Sequence, residues 1–179
     1  MKNTLTTTKV TLLSLLIASS AAVAEISSTK PLSMNGFKIA VIKNSTGTKD
    51  IISGNYLNSI SIINSENKQS SGFEKSMGLC VANLKVNRLA KAELACTQAI
   101  EAISAITADN KHNRYLKSLA YSNRGIVRYK SNSTLSAIED FTTALKLSKR
   151  RYIKDNVAAL KTAIASNYSV EMNNTFINE

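Results

Sequence analysis

The chain of 179 residues has no tryptophan, one proline, one histidine and two cysteines. Each scarcity removes a class of protein. His112 and two cysteines outside any C-x-x-C spacing leave too few ligands for a metal centre, and no redox-active pair. There is no glycine-rich phosphate loop and no nucleophile motif. Glu139 and Asp140 are neighbours on a helical pattern, so their side chains diverge. The expectation is therefore no cofactor, no metal and no catalytic residue. One proline and six glycines, in a chain rich in Ala, Leu and Ile, favour packed helices over a turn-rich sheet protein. No apolar run reaches the ~20 residues of a membrane span.

What is present begins with an address. Lys2 and Lys9 precede a short apolar core, Val10 to Ile17, and Ala22-Val23-Ala24 forms an A-x-A site. This predicts a signal peptide over 1–24, cut between Ala24 and Glu25, and an exported chain, expected in the periplasm with secretion as the alternative. Taking Lys2 and Lys9 from the 23 bases leaves 21 against 12 acids, a net charge of +9. The remaining 155 residues fit one domain.

Residues 25–47 read as a polar, extended leader, with a β-branched run from Lys38 to Lys43 and a turn cluster from Asn44 to Lys49. Residues 48–166 read as a helical domain. Asp50 to Ile63 suggests a short helix, a Gly54-Asn55 turn, and a second helix with Ile60 and Ile63 on one face. Phe73 to Ala105 and Tyr121 to Lys149 are two stronger units. Aligned on Ala99 and Ala144, they place Cys80 with Gly125, Leu84 with Tyr129, Ala92 with Ala137, and Cys96 with Phe141, at an offset of 45 residues.

The second unit carries Tyr121, Gly125, Tyr129, Ala137, Phe141 and Ala144 around a Ser131-Asn132-Ser133 turn. It resembles a tetratricopeptide repeat, a 34-residue helix–turn–helix unit with spaced Gly, Ala and aromatic residues. Arg124 stands where that family usually has Leu, and Lys149 where it has Pro. The expected fold is all-α, a helical-hairpin array of about 2.5–3 repeats. A degenerate unit covers about 48–68, repeats cover 73–106 and 118–149, an insertion covers 107–117, and a helix over 151–166 caps the stack. Residues 167–179 read as a flexible tail. Ala92, Ala99, Gly125, Ala137, Phe141 and Ala144 are expected to be packing positions.

Cys80 and Cys96 lie equidistant from the hairpin turn at Arg88, which places them at one height in an antiparallel helix pair. In an exported chain this predicts a disulfide, with two buried free thiols as the alternative. The resemblance implies a peptide groove lined by Met77, Val81, Lys85, Ser122, Ile126 and Lys130. The Lys–Asn pair that clamps a terminal carboxylate in some family members is absent at Ser122 and Ile126. Arg114, Lys117, Arg124 and Arg128 form a basic helix face suited to an anionic partner. The chain resembles small periplasmic repeat proteins of Gram-negative bacteria. The expected function is a non-enzymatic adaptor for a protein or peptide partner. The alternative is docking of the basic face on an anionic envelope lipid or polymer. Nucleic acid is not an expected partner.

Overall fold

A computed structural model describes residues 33–66 and 72–177, with side chains as far as residue 167. The expected signal peptide and its cleavage site, Ala24 and Glu25, lie outside the described residues. The fold is an all-α array. It begins with a two-residue antiparallel pair, β1 (Ser33–Met34) and β2 (Phe37–Lys38), in the register Ser33 with Lys38 and Met34 with Phe37. Helices α1 (Thr48–Ser53) and α2 (Tyr56–Ser65) form a first hairpin. A second joins α3 (Gly72–Lys85) to α4 (Leu89–Ser104), and a third joins α5 (Lys111–Lys130) to α6 (Thr134–Leu147). Helix α7 (Arg151–Ile177) closes the series.

The three hairpins turn in the same way. Gly54, Asn87 and Asn132 each follow the first helix with positive φ, 87°, 60° and 61°. In each case two backbone N–H groups reach back to orphan carbonyls: Gly54 and Asn55 to Ile51 and Asp50, Asn87 and Arg88 to Leu84 and Asn83, Asn132 and Ser133 to Tyr129 and Arg128. This is the Schellman closure, which needs a left-handed residue and therefore selects Gly or Asn.

From those turns the packing positions align. Ser59, Ala92 and Ala137 follow the left-handed residue at the same offset, and all three are fully buried. One further turn on, Ile63, Cys96 and Phe141 face Gly47, Cys80 and Gly125. A methyl group added at Gly47 would meet Ile63 at 2.8 Å, and one at Gly125 would meet the Phe141 ring at 2.9 Å. The middle hairpin fills the same place with Cys80 and Cys96, whose sulfurs lie at disulfide distance, 1.98 Å, with Cα atoms 4.9 Å apart. Two hairpins thus approach by pairing a small residue with a large one, and one by a covalent bridge.

The 107–117 insertion, expected as a loop with extra helical turns, is helical from Lys111, where α5 starts, capped by the Asn110 side chain on the Asn113 N–H at 2.8 Å. Two sequence expectations change. Helix α7 continues to Ile177 through the stretch read as a flexible tail. The leader does not stand apart from the domain: Phe37, Ile39, Ala40 and Ile42 are buried with the helices. Beyond the two-residue pairing with β1, this extended segment is held by packing and hydrogen bonding against the helices.

Candidate functional site

The feature with the most specific geometry is the extended segment Phe37–Ile42, a strap laid across α5 and α7. Two asparagines hold its backbone. The side-chain amide of Asn123 accepts from the Ala40 N–H and donates to the Ala40 carbonyl, both at 2.9 Å. The amide of Asn156 does the same for Lys38, at 2.8 Å in each direction. It also donates to the Ser122 hydroxyl at 2.9 Å, which fixes its orientation.

The chemistry follows from extended geometry. In a strand, one residue's N–H and C=O point to the same side, and alternate residues share that side. A carboxamide presents one acceptor and two donors, so it pairs with a strand residue as a neighbouring strand would. Lys38 and Ala40 are alternate residues, and each receives one carboxamide. Such a grip recognises extended backbone and is indifferent to side-chain identity.

Side chains add selectivity. The Phe37 ring stacks on Phe141, with centroids 5.8 Å apart, and tilts against Tyr129 at 5.6 Å. Phe141 in turn rests on Gly125, so a repeat-packing pair forms the floor of this aromatic pocket. The Lys38 ammonium donates to Asp155 at 2.6 Å, so adjacent residues of α7 hold the backbone and the side chain of Lys38. That hydrogen bond, with the Lys38 and Arg151 charges nearby, holds the Asp155 carboxyl below the usual carboxylate range. Ile39 shares a buried cluster with Val81 and Ile126, and Ala40 and Ile42 share one with Met77, Leu119 and Ile153. The strap joins α1 through a tight turn, where Ser45 and Thr48 hydroxyls donate to the Ile42 carbonyl at 2.9 and 2.7 Å.

Of the expected groove residues, Met77, Val81 and Ile126 share buried clusters with the strap, and Ser122 bonds to the Asn156 that holds it. Met77, Val81, Ser122 and Ile126 are buried. Lys85 lies over the Tyr56 ring at 5.5 Å, and Lys130 is exposed at the end of α5. Asn123 and Asn156 were missed, although a signal exists. Asn156 falls on the apolar stripe of Ile153 and Leu160, and Asn123 lies four residues from both Leu119 and Val127. A polar residue on a buried stripe must find partners there.

The expected basic face is divided. Arg124 clasps the buried Asp140 carboxylate with two bonds, 3.0 and 2.8 Å, and donates to the Thr97 hydroxyl at 3.1 Å. Arg128 reaches the same carboxylate at 3.1 Å and Glu93 at 2.8 Å. Burial opposes the charge of Arg124, but hydrogen bonding and attraction from Asp140 outweigh it, so its pKa rises further. These two arginines tie α4, α5 and α6 together. Arg114 pairs with Asp109 at 2.9 Å on the exposed surface, and Lys117 lies one turn away. Hairpin pairing brings that end of α5 beside Lys149 to Lys154, and Arg150 stacks 4.1 Å from the Tyr115 ring centre.

His112 is exposed on the first turn of α5. Among the described residues no cluster of His, Cys, Asp and Glu could hold a metal ion, and no helix is long and apolar enough to cross a membrane. Comparison of the chain with family models, curated proteins and solved structures finds no match.

Proposed function

We propose that this chain is an exported, non-catalytic interaction module of the tetratricopeptide type, acting as an adaptor for a protein partner in the periplasm. The observation that carries the reading is the double carboxamide grip on an extended backbone inside a stack of helical hairpins. A surface built to hold extended chain by its peptide groups serves recognition and has no evident catalytic use. The repeated hairpin closures and the small–large pairs at Gly47–Ile63 and Gly125–Phe141 support the family resemblance.

The test is capture from envelope extract with the chain lacking residues 1–24, at low salt and at 0.5 M salt, with captured proteins identified by mass spectrometry. A specific protein retained at both salt concentrations supports the adaptor. A second reading rests on Lys111, Lys117, Lys149, Arg151 and Lys154, which gather at the start of α5 and the start of α7. Here the chain docks electrostatically on an anionic lipid or polymer, and capture disappears at high salt because exposed charges are screened.

A further inference from the structure

The strap is a segment of this chain in a site whose grip does not depend on which chain supplies the backbone. We infer that the strap is a displaceable internal occupant, and that the same surface takes an extended segment of a partner protein in its place. The preferred segment follows from the pockets: an aromatic residue, a basic residue, an aliphatic residue, a small residue, then two aliphatic residues, the first of them only partly buried. That is the pattern of Phe37-Lys38-Ile39-Ala40-Val41-Ile42. The inference rests on the interaction-module reading and adds the ligand class and its control.

Three observations support displacement. Among the described residues the strap's β pairing is confined to the two-residue β1–β2 ladder, so leaving the helices breaks no larger sheet there. The Cys80–Cys96 bridge closes the middle hairpin, and the Arg124–Asp140–Arg128 cluster ties the third hairpin to it through Thr97 and Glu93, without involving the strap. The side-chain contacts have the character of a ligand site: one aromatic pocket formed by Phe141 and Tyr129, one carboxylate at Asp155, and apolar positions along α3, α5 and α7. A tethered occupant competes at high effective concentration. A partner therefore meets a site whose apparent affinity is reduced by the fraction open, and weakening the strap removes that reduction.

The experiment uses the full chain and a fluorescent peptide carrying the sequence from Ser33 to Lys43. The wild type is expected to bind the peptide weakly. Phe37→Ala, which weakens the internal strap and leaves the pocket intact, is expected to bind at least ~10-fold more tightly. Adding Asn123→Ala to that variant is expected to abolish most of the gain. A folded Phe37→Ala protein that binds no better than wild type overturns the inference, as does binding indifferent to Asn123→Ala. If Phe37→Ala does not fold, amide exchange in the wild type decides. Displacement predicts that the Lys38 and Ala40 amides exchange by local opening, faster than the buried α5 amides and with little urea dependence. Exchange at the rate of global unfolding overturns it. A wild-type dimer formed by exchanging straps would replace the partner with a second copy and overturn that choice of occupant. If the peptide result is negative while a salt-resistant protein is still captured, the interaction module stands and the displaceable strap falls. If no partner is captured, the module reading falls.

Discussion

At the scale of single residues, the molecule depends on a few side chains whose environments are exacting. Asp140 is 2 % exposed and receives two arginines. Removing the carboxylate leaves two guanidinium groups facing a low-dielectric interior, so Asp140→Ala should cost about 3–5 kcal/mol. Urea unfolding followed by circular dichroism measures this, and a loss below about 1 kcal/mol would contradict the network's role. Ser59 makes the opposite case. It occupies the position of Ala92 and Ala137, is fully buried, and its hydroxyl has no hydrogen-bond partner among the described residues. Ser59→Ala is therefore expected to stabilise the protein by about 1 kcal/mol, read as a rise in the urea midpoint. A destabilised variant would contradict the alignment of the first hairpin with the other two. Sequence spacing was informative here because Ala, Gly and aromatic residues mark close packing directly. At Asn123 and Asn156 spacing marks a polar residue on a buried stripe without naming its partner, which for Asn123 lies more than 80 residues away in the chain.

At the scale of elements, each hairpin reaches the same closure by different means. The bridge in the middle hairpin spans 16 residues, and a loop of that length contributes about 3 kcal/mol by restricting the unfolded chain. Reduction, or Cys80→Ala with Cys96→Ala, should lower stability by that amount and leave the helical content intact. Helical hairpins were legible because their apolar period is local and their turns carry Gly or Asn. The strap was harder to place. Its β-branched run from Lys38 to Lys43 showed extension, but extension alone does not reveal what covers it, and polar flanks suggested a leader. The acid–base behaviour of this element is specific. Asp155 has a lowered folded pKa because it is bonded to Lys38. A carboxylate of this kind contributes stability above its unfolded pKa of about 4, and loses that contribution as pH falls through the lower folded value. Strap protection, read by exchange of the Lys38 amide, should therefore decline below about pH 4. Asp155→Asn should remove that acid limb, and an unchanged pH profile would contradict the assignment.

At the scale of the whole molecule, a short chain with few aromatics is held as one body by stacking hairpins. Their shared inner region is filled by the strap and closed by α7. The charge distribution divides accordingly: Arg124 and Arg128 work inside the stack, while Lys111, Lys117, Lys149, Arg151 and Lys154 stand toward one end. The all-α class and the hairpin order were readable from the sequence. The division of the basic residues was not, because a helix face seen in sequence does not show that Asp140 and Glu93 approach it from neighbouring helices.

The central claim is that this array recognises an extended segment of another protein at the site the strap now fills. The most direct measurement compares partner capture by wild type and Phe37→Ala in the same envelope extract at 0.5 M salt. The account predicts one protein recovered by both and enriched at least several-fold by Phe37→Ala, with enrichment lost when Asn123→Ala is added. Equal recovery by both proteins, or capture that vanishes in salt, would contradict it.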